Sequence, residues 1–186
     1  MNVNGQRMAL LHPGVGAPMA AAFMEEVISL GCRKFIVCGG CGVIDKQIGF
    51  EHVVVPETAV RDEGTSYHYL PPSREVSASL AAVSAICQTL ETHHIQYVLG
   101  KTWTTDAVYR ETSAKVARRR AEGCLVVEME TAAFCAVAQF RKVTFGQILY
   151  GGDDLTGEKW DSRNWQNQTS TREKLFWLAA EASLQL

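Results

Sequence analysis

Two carboxylates, Glu128 and Glu130, follow the apolar run of the stretch CLVVEMETAAF, which covers residues 124 to 134. Side chains two positions apart on an extended segment point to the same side, so this spacing predicts a pair of carboxylates at the end of a strand. A carboxylate there must be paired or bound, because an unpaired buried charge is costly. One fitting partner is a vicinal diol such as the 2′ and 3′ hydroxyls of ribose, since a carboxylate can accept both hydrogen bonds. The alternative is a structural ion pair with one of the arginines.

Two further polar clusters follow predicted strands. Asp153 lies in the stretch GGDDLTG, where a buried carboxyl group could protonate a leaving group. The same composition is also typical of a turn. Thr104 and Thr105, in TWTTDAVYRET, could bind a ligand through their hydroxyl groups. The alternative is that one of them, or Asp106, caps the following helix.

Two glycine clusters also stand between predicted elements. Gly14 and Gly16, in HPGVGAP, precede a predicted helix, where backbone N–H groups can approach an anion; a plain tight turn is the alternative. The stretch CGGCG allows three interpretations of Cys38 and Cys41: a redox pair, half of a zinc site, or incidental residues in a glycine-rich turn that binds a ligand. Zinc would need two more ligands, and the sequence has no second C-x-x-C and no H-x₃-H. We therefore favour the ligand turn.

Strands and helices alternate along the chain, which predicts an α/β layered domain with a largely parallel sheet. The predicted strands are RMALLH, KFIVCG, HVVVPETAV, QYVLGKTW, CLVVEM and VTFGQILYG, and the predicted helices cover residues 17 to 30, 74 to 92, part of 107 to 122, 130 to 140 and 171 to 185. Ligands of such folds bind beyond the carboxyl ends of the strands, which is where the polar and glycine clusters lie. We therefore expect these clusters to meet.

The amino-acid composition of the chain argues against several classes of function. The chain has 186 residues, 47% of them hydrophobic, which is enough for one well-buried core. Its 18 basic and 20 acidic side chains give a formal charge of −2 and no reason to expect a nucleic acid or an anionic membrane as partner. No uncharged apolar run has the length of a membrane span, and the cysteines mostly lie in apolar segments. We expect a cytoplasmic protein that binds a small molecule.

The order and spacing of these clusters resemble those of the nucleoside phosphorylase and nucleosidase superfamily, most closely its uridine-phosphorylase-like branch. The resemblance covers essentially the whole chain through GVGAP, KFIVCGGCGVI, VRDEGTSYHYLP, KTWTTDAVYRET, VVEMETAAF and GGDDLTG, of which VEMET is the most specific. It implies a single domain over residues 1–186, built as a three-layer α/β/α sandwich around a mixed, largely parallel sheet. It also implies a homo-oligomer, either a dimer or a hexamer.

The resemblance also implies roles for individual residues. Glu130 would accept hydrogen bonds from the ribose hydroxyls, Met129 would pack on the sugar, and Asp153 would be the catalytic acid at the base. The other substrate-binding positions that it implies are Val127 and Glu128 on the base and sugar side, Thr104 and Thr105 near the base, and Gly39, Gly40, Cys41 and Gly42 in a turn between the ribose and the base or phosphate. Phosphate would lie against Gly14, Gly16 and Gly40.

The reaction that the resemblance implies is phosphorolysis of a nucleoside to a free base and ribose 1-phosphate, without a metal or an organic cofactor. The chain departs from the family pattern at Val37, where phosphorolytic members usually carry a phosphate-binding arginine, and at Gly40, where they carry a hydroxyl residue. Members ordinarily also have one more supersecondary unit ahead of HPGVGAP, with a further phosphate arginine. The alternatives are a nucleosidase that uses water and a nucleoside-binding protein with little activity, since bidentate arginine is the usual clamp for phosphate. The choice of base stays open.

Overall fold

The structure is a computed structural model that describes residues 2–3, 5–49, 52–167 and 169–186. Its strands are β1 (Asn2–Val3), β2 (Gln6–Arg7), β3 (Lys34–Val43), β4 (Val53–Asp62), β5 (Glu75–Ser77), β6 (Tyr97–Thr105), β7 (Cys124–Glu128) and β8 (Thr144–Asp154). Its helices are α1 (Ala17–Ser29), α2 (Leu80–Thr92), α3 (Ser113–Ala121), α4 (Thr131–Arg141) and α5 (Thr169–Leu184). Short 3₁₀ helices cover Thr65–His68, Val108–Arg110 and Trp165–Asn167.

Six strands form one mixed sheet in the order β5-β4-β6-β7-β3-β8, and β4 also pairs with β8. The pairs β3–β8, β4–β6 and β6–β7 are parallel, whereas β3–β7, β4–β5 and β4–β8 are antiparallel. The register puts Val43 of β3 opposite Asp154 of β8, and Thr104 of β6 opposite Glu128 of β7. The carboxyl ends of these four strands therefore meet, as the sequence predicted.

Helices cover both faces of the sheet. One buried cluster joins α1 and α4 to the sheet and contains Met24 and Phe134, and a second joins α2 and α5 to it and contains Ile86 and Leu178. The predicted α/β/α arrangement around a mixed sheet is therefore confirmed. Within the described ranges, no helix is both long and apolar enough to cross a membrane.

Two predicted elements differ in the structure. The predicted strand RMALLH is wrong beyond Gln6–Arg7, and Leu10 and Leu11 are 54% and 50% exposed. An apolar run forms a strand only beside a partner, and local pattern cannot show whether one is present. The predicted helix from residue 74 is wrong at its start, where β5 precedes α2, because Val76 is buried and pairs with Ala59 of β4.

Candidate active site

Glu128 ends β7 and is buried beneath the start of α4. Its Oε2 accepts hydrogen bonds from the backbone N–H groups of Glu130 and Thr131, at 2.7 and 2.6 Å, and so satisfies free donors at the N-terminus of the helix. Its Oε1 accepts from the hydroxyls of Thr104 and Thr102, at 2.6 and 3.3 Å. Burial raises the pKa of Glu128, and the hydrogen bonds partly offset that effect. Protein donors thus occupy both oxygens that were predicted to face a ligand.

Glu130 turns away from Glu128, toward the start of α1. Its Oε1 accepts a hydrogen bond of 2.5 Å from the backbone N–H of Gly16, a residue 114 positions away in the sequence. Burial, and then the charge of Glu128, raise the pKa of Glu130 to about 7, while the Gly16 N–H opposes the shift. A carboxylate has about four lone-pair sites, so this contact leaves capacity to accept hydroxyl groups. Across the part of the chain that the structure describes, neither Glu128 nor Glu130 forms the ion pair considered as the alternative.

Gly14 and Gly16 form the tight turn before α1. Both have positive φ, 77° and 93°, in the left-handed region that favours glycine. The Gly14 N–H donates to Nδ1 of His12 at 3.1 Å, and the Gly16 N–H donates to Glu130. A phosphate at this turn would therefore have to displace both acceptors.

The segment from Gly39 to Gly42 is not the predicted turn, because it lies within β3, which continues to Val43. Close packing explains Gly40 and Gly42 better than backbone freedom does, whereas a β carbon on Gly39 would meet open space. A β carbon on Gly42 would lie 2.9 Å from Cγ1 of Val127, and one on Gly40 would lie 3.0 Å from the hydroxyl of Tyr150. Gly40 and Gly42 thus let neighbouring strands and side chains approach β3.

Cys38 and Cys41 lie in different parts of the core. Cys38 packs against the cluster of α2 and α5, whereas Cys41 belongs to a cluster with Val43 and Leu149. Both are free thiols, and burial raises the pKa of each, with a further contribution from Glu128 at Cys41. A raised thiol pKa disfavours the thiolate that redox chemistry needs. Among the residues described, no group of three or more His, Cys, Asp or Glu side chains is arranged to hold a metal ion.

Asp153 lies near the end of β8, beside the glycine segment of β3. Its Oδ1 is 3.5 Å from the position that a β carbon on Gly42 would take, and its Oδ2 accepts a hydrogen bond of 2.7 Å from the indole N–H of Trp160. The acidic neighbour Glu111 follows the 3₁₀ helix after β6. Burial and the charge of Asp153 raise the pKa of Glu111 to about 7, against the effect of Lys115. Neither neighbour was predicted from the sequence. The only sequence signal for Glu111 was its position after the end of a strand, and no sequence signal pointed to Trp160.

The two predicted threonines are largely enclosed by protein. The Thr104 hydroxyl donates a hydrogen bond to Glu128 and accepts one from the backbone N–H of Ala132 at 2.9 Å. Its hydrogen and its oxygen therefore both have protein partners. Thr105 is 1% exposed. Neither caps α3, whose N-cap is Thr112. Thr104 therefore supports the carboxylate of Glu128, which in turn positions the backbone of Glu130.

Of the residues predicted to bind sugar or base, Met129, Glu130 and Asp153 are partly exposed, whereas Val127 is 3% exposed. Glu130 and Asp153 come from different strand ends that the sheet brings together. This arrangement can bind a diol through Glu130, and Asp153 supplies a second carboxyl group among the same strand ends.

Known proteins share both sequence and fold with this chain. At the sequence level it is 27% identical over 145 residues to the guanosine phosphorylase of Halorubrum lacusprofundi, covering 78% of this chain and 60% of that protein. It is 29% identical over 107 residues to the uridine phosphorylase of Haemophilus influenzae, covering 58% of this chain and 42% of that protein. A DeoD-type purine nucleoside phosphorylase of Bacillus cytotoxicus is 29% identical over 188 positions, covering 97% of this chain and 77% of the relative. The chain thus spans less than two thirds of the first two relatives.

Among solved structures, the crystal structure of the AMP nucleosidase from Bacteroides thetaiotaomicron has a TM-score of 0.77 with this chain. The match covers 91% of this chain and 68% of that one at 23% identity, and it supports the fold alone. A family model described as the phosphorylase superfamily matches residues 1–182. Because that match extends over nearly the whole chain, the protein belongs to the phosphorylase superfamily.

Proposed function

We propose that this protein cleaves the N-glycosidic bond of a nucleoside with phosphate, giving a free base and ribose 1-phosphate. The observation that carries the proposal is the position of Glu130, whose carboxylate is held by the Gly16 N–H at the shared strand ends. In the proposed complex, Glu130 accepts the 2′ and 3′ hydroxyls of ribose and Met129 packs on the sugar. Glu128 positions this clamp from below and makes no substrate contact.

Cleavage of the N-glycosidic bond needs stabilisation of the charge that develops on both sides of that bond. A phosphate oxygen forms a bond to C1′ while the bond from C1′ to the base nitrogen breaks, and its electron pair goes to the base. Asp153 donates a proton or a hydrogen bond to the departing base, which stabilises the charge that develops there. The Trp160 indole holds the carboxyl group of Asp153 in place. The reaction needs no metal or organic cofactor.

Hydrolysis is the second candidate, and Val37 favours it. Val37 packs against the apolar cluster of α1 and α4, at the position where a phosphate-binding arginine was expected. A nucleosidase would use water at C1′ and would not need that cation. The same diol clamp and acid would serve either reaction.

A nucleoside panel with and without phosphate tests the proposal, with free base as the readout. Phosphate-dependent release of base supports phosphorolysis, phosphate-independent release supports hydrolysis, and binding without release identifies a nucleoside-binding protein. Glu130→Ala should reduce the affinity for ribonucleosides by about 100-fold or more, because two hydrogen bonds to a charged group are lost. Unchanged ribonucleoside affinity in this variant would contradict the assignment of the site.

We further propose a cytoplasmic, single-domain protein of the uridine-phosphorylase-like branch that assembles as a dimer or a hexamer. Exposed apolar side chains around the start of α1 support assembly: Leu10, Leu11, Val15 and Met19 are 54%, 50%, 71% and 51% exposed. Light scattering coupled to size exclusion measures the assembly, and a monomer at micromolar concentration would contradict it.

A further inference from the structure

An open groove of about 470 Å³ lies between α1 and the 3₁₀ helix Thr65–His68, at the carboxyl end of β6. Pro18, Ala21 and Ala22 of α1 line one side of it, and their small side chains leave the groove wide. Asp106, which follows β6, lines it as well. Ligand pockets in proteins measure roughly 300–1,000 Å³. The groove is therefore large enough to receive an aromatic side chain.

Asp106 gives this groove a fixed negative charge. Its Oδ2 accepts a hydrogen bond of 2.8 Å from the backbone N–H of Gly64, which holds the carboxylate against the loop before the 3₁₀ helix. Among the residues that the structure describes, the second oxygen of Asp106 has no hydrogen-bond or ion-pair partner. A carboxylate held in this way is suited to a guanidinium group, whose donors make charge-assisted hydrogen bonds. The groove thus fits an aromatic group that stands next to a cation.

The 3₁₀ helix Val108–Arg110 presents such a pair of groups to solvent. Tyr109 is 97% exposed, and its neighbour Arg110 is also exposed. Across the described part of the chain, neither side chain has a hydrogen bond, an ion pair or a ring contact. Tyrosine and arginine are the residue types that most often anchor protein interfaces. An aromatic side chain with no packing in its own chain therefore indicates contact with another molecule.

Tyr109 and the groove stand side by side on the surface. Tyr109 comes three residues after Asp106, so their Cα atoms are at most about 11 Å apart. A two-fold axis between Tyr109 and the groove brings the tyrosine of each copy to the groove of the other, because an isologous contact uses the same patch on both copies. One rotation thus fills both grooves.

Exposed apolar side chains near α1 enlarge this contact. A docked tyrosine buries roughly 150–250 Å², whereas a stable interface buries about 800 Å² on each partner. Met19, which is 51% exposed, and Ala22 lie three positions apart on α1 and therefore share a face of the helix. Val15, which is 71% exposed, precedes the same helix. The side of the groove that α1 forms is thus continuous with apolar surface that a second copy can cover.

We propose that a second copy of this chain docks on the groove, with Tyr109 of each copy packed on α1 of the other. In this pair the Tyr109 ring lies against the partner's Pro18 and Ala22, and Arg110 binds the free oxygen of the partner's Asp106. This inference rests on the proposed assembly and names the surface that forms it. Its support is the match between an unpacked Tyr-Arg pair and a groove with an apolar side and a carboxylate.

Sedimentation velocity on the full chain, over a series of concentrations, tests this surface with Tyr109→Ala and Ala22→Arg. Both positions are exposed, so neither change removes a core contact. Tyr109→Ala should weaken the pair by at least about 100-fold, because two-fold symmetry removes two aromatic anchors at once. Ala22→Arg should weaken it to a similar extent, since the longer side chain fills the groove. Leu80→Ala is the matched control: Leu80 is 84% exposed at the start of α2, on the other face of the sheet, and this variant should assemble as wild type does.

Disulfide cross-linking locates the contact. Mixing the Tyr109→Cys variant with the Ala22→Cys variant under mild oxidation should give a cross-linked pair on a non-reducing gel, because a disulfide needs the two β carbons close together. Wild type, treated in the same way, gives the background from the native cysteines.

The outcomes separate this inference from the rest of the proposed function. Assembly at wild-type strength in Tyr109→Ala or in Ala22→Arg, or no cross-link above background on mixing, overturns the docking surface and leaves the proposed assembly standing. A wild-type protein that stays monomeric overturns both, and the groove then belongs to a different ligand. Neither measurement depends on cleavage of a nucleoside, so the result holds whether or not the chain releases a base.

Discussion

Replacing Glu128 by Gln removes the charge of the carboxylate at the centre of the site and keeps its shape. Four donors point at Glu128: the hydroxyls of Thr104 and Thr102 at one oxygen, and the N–H groups of Glu130 and Thr131 at the other. An ionised carboxylate can accept all four, whereas the amide of Gln has one oxygen and two N–H donors. The substitution therefore places the N–H donors of the Gln amide against hydrogen-bond donors of the surrounding protein.

The loss in free energy of unfolding can be estimated from this arrangement of hydrogen bonds. The Gln oxygen can serve the two backbone N–H groups, which turns its amide nitrogen toward Thr104. Since the Thr104 hydroxyl already accepts from Ala132, its own hydrogen then loses its acceptor. One unsatisfied buried donor costs about 1–3 kcal/mol, and loss of charge assistance in the two backbone bonds adds about 1 kcal/mol. We expect Glu128→Gln to reduce the free energy of unfolding by about 2–4 kcal/mol.

Urea denaturation followed by tryptophan fluorescence and far-UV circular dichroism measures this loss at neutral pH. The midpoint should fall with little change in the slope of the transition. Glu173→Gln on the exposed face of α5 is the control and should stay within about 0.5 kcal/mol of wild type. A Glu128→Gln midpoint equal to that of wild type would refute the argument. It would mean that the amide of Gln leaves no buried donor around position 128 unsatisfied.

Three further outcomes are expected. Because the pKa of Glu130 is raised to about 7 and the ionised form accepts the diol, ribonucleoside affinity should rise about tenfold from about pH 6 to about pH 8, and a flat profile by calorimetry would contradict this. Trp160→Phe removes the indole donor to Asp153 and should lower kcat about tenfold with little change in nucleoside KM; an unchanged kcat would mean that the indole does not position Asp153. Cys38→Ser and Cys41→Ala should each leave kcat/KM within about twofold, with and without a reductant, whereas a redox protein would lose activity.

Residue patterns within a short window of the sequence predicted the helices and strands well where the tertiary contacts agreed with those patterns. The last helix buries the predicted face of Leu175, Leu178, Ala179 and Ala182. Gly31 follows α1 with φ of 104°, as a glycine at a helix end should. The same kind of pattern failed for RMALLH and for the start of the predicted helix at residue 74. Both outcomes depended on whether a second strand lay alongside, which no local window contains.

The sequence alone determined the α/β class, the meeting of the polar clusters at the strand ends, and the importance of the stretch that contains Glu128 and Glu130. The tertiary structure decided how these two carboxylates divide their roles. The partner of Glu128 is Thr104, 24 residues away on the neighbouring strand, and the partner of Glu130 is Gly16, 114 residues away at the start of α1. Alternation along a strand predicted only that both would face one side. Hydrogen-bond donors from distant segments determine which carboxylate is satisfied inside the protein and which retains capacity for a ligand.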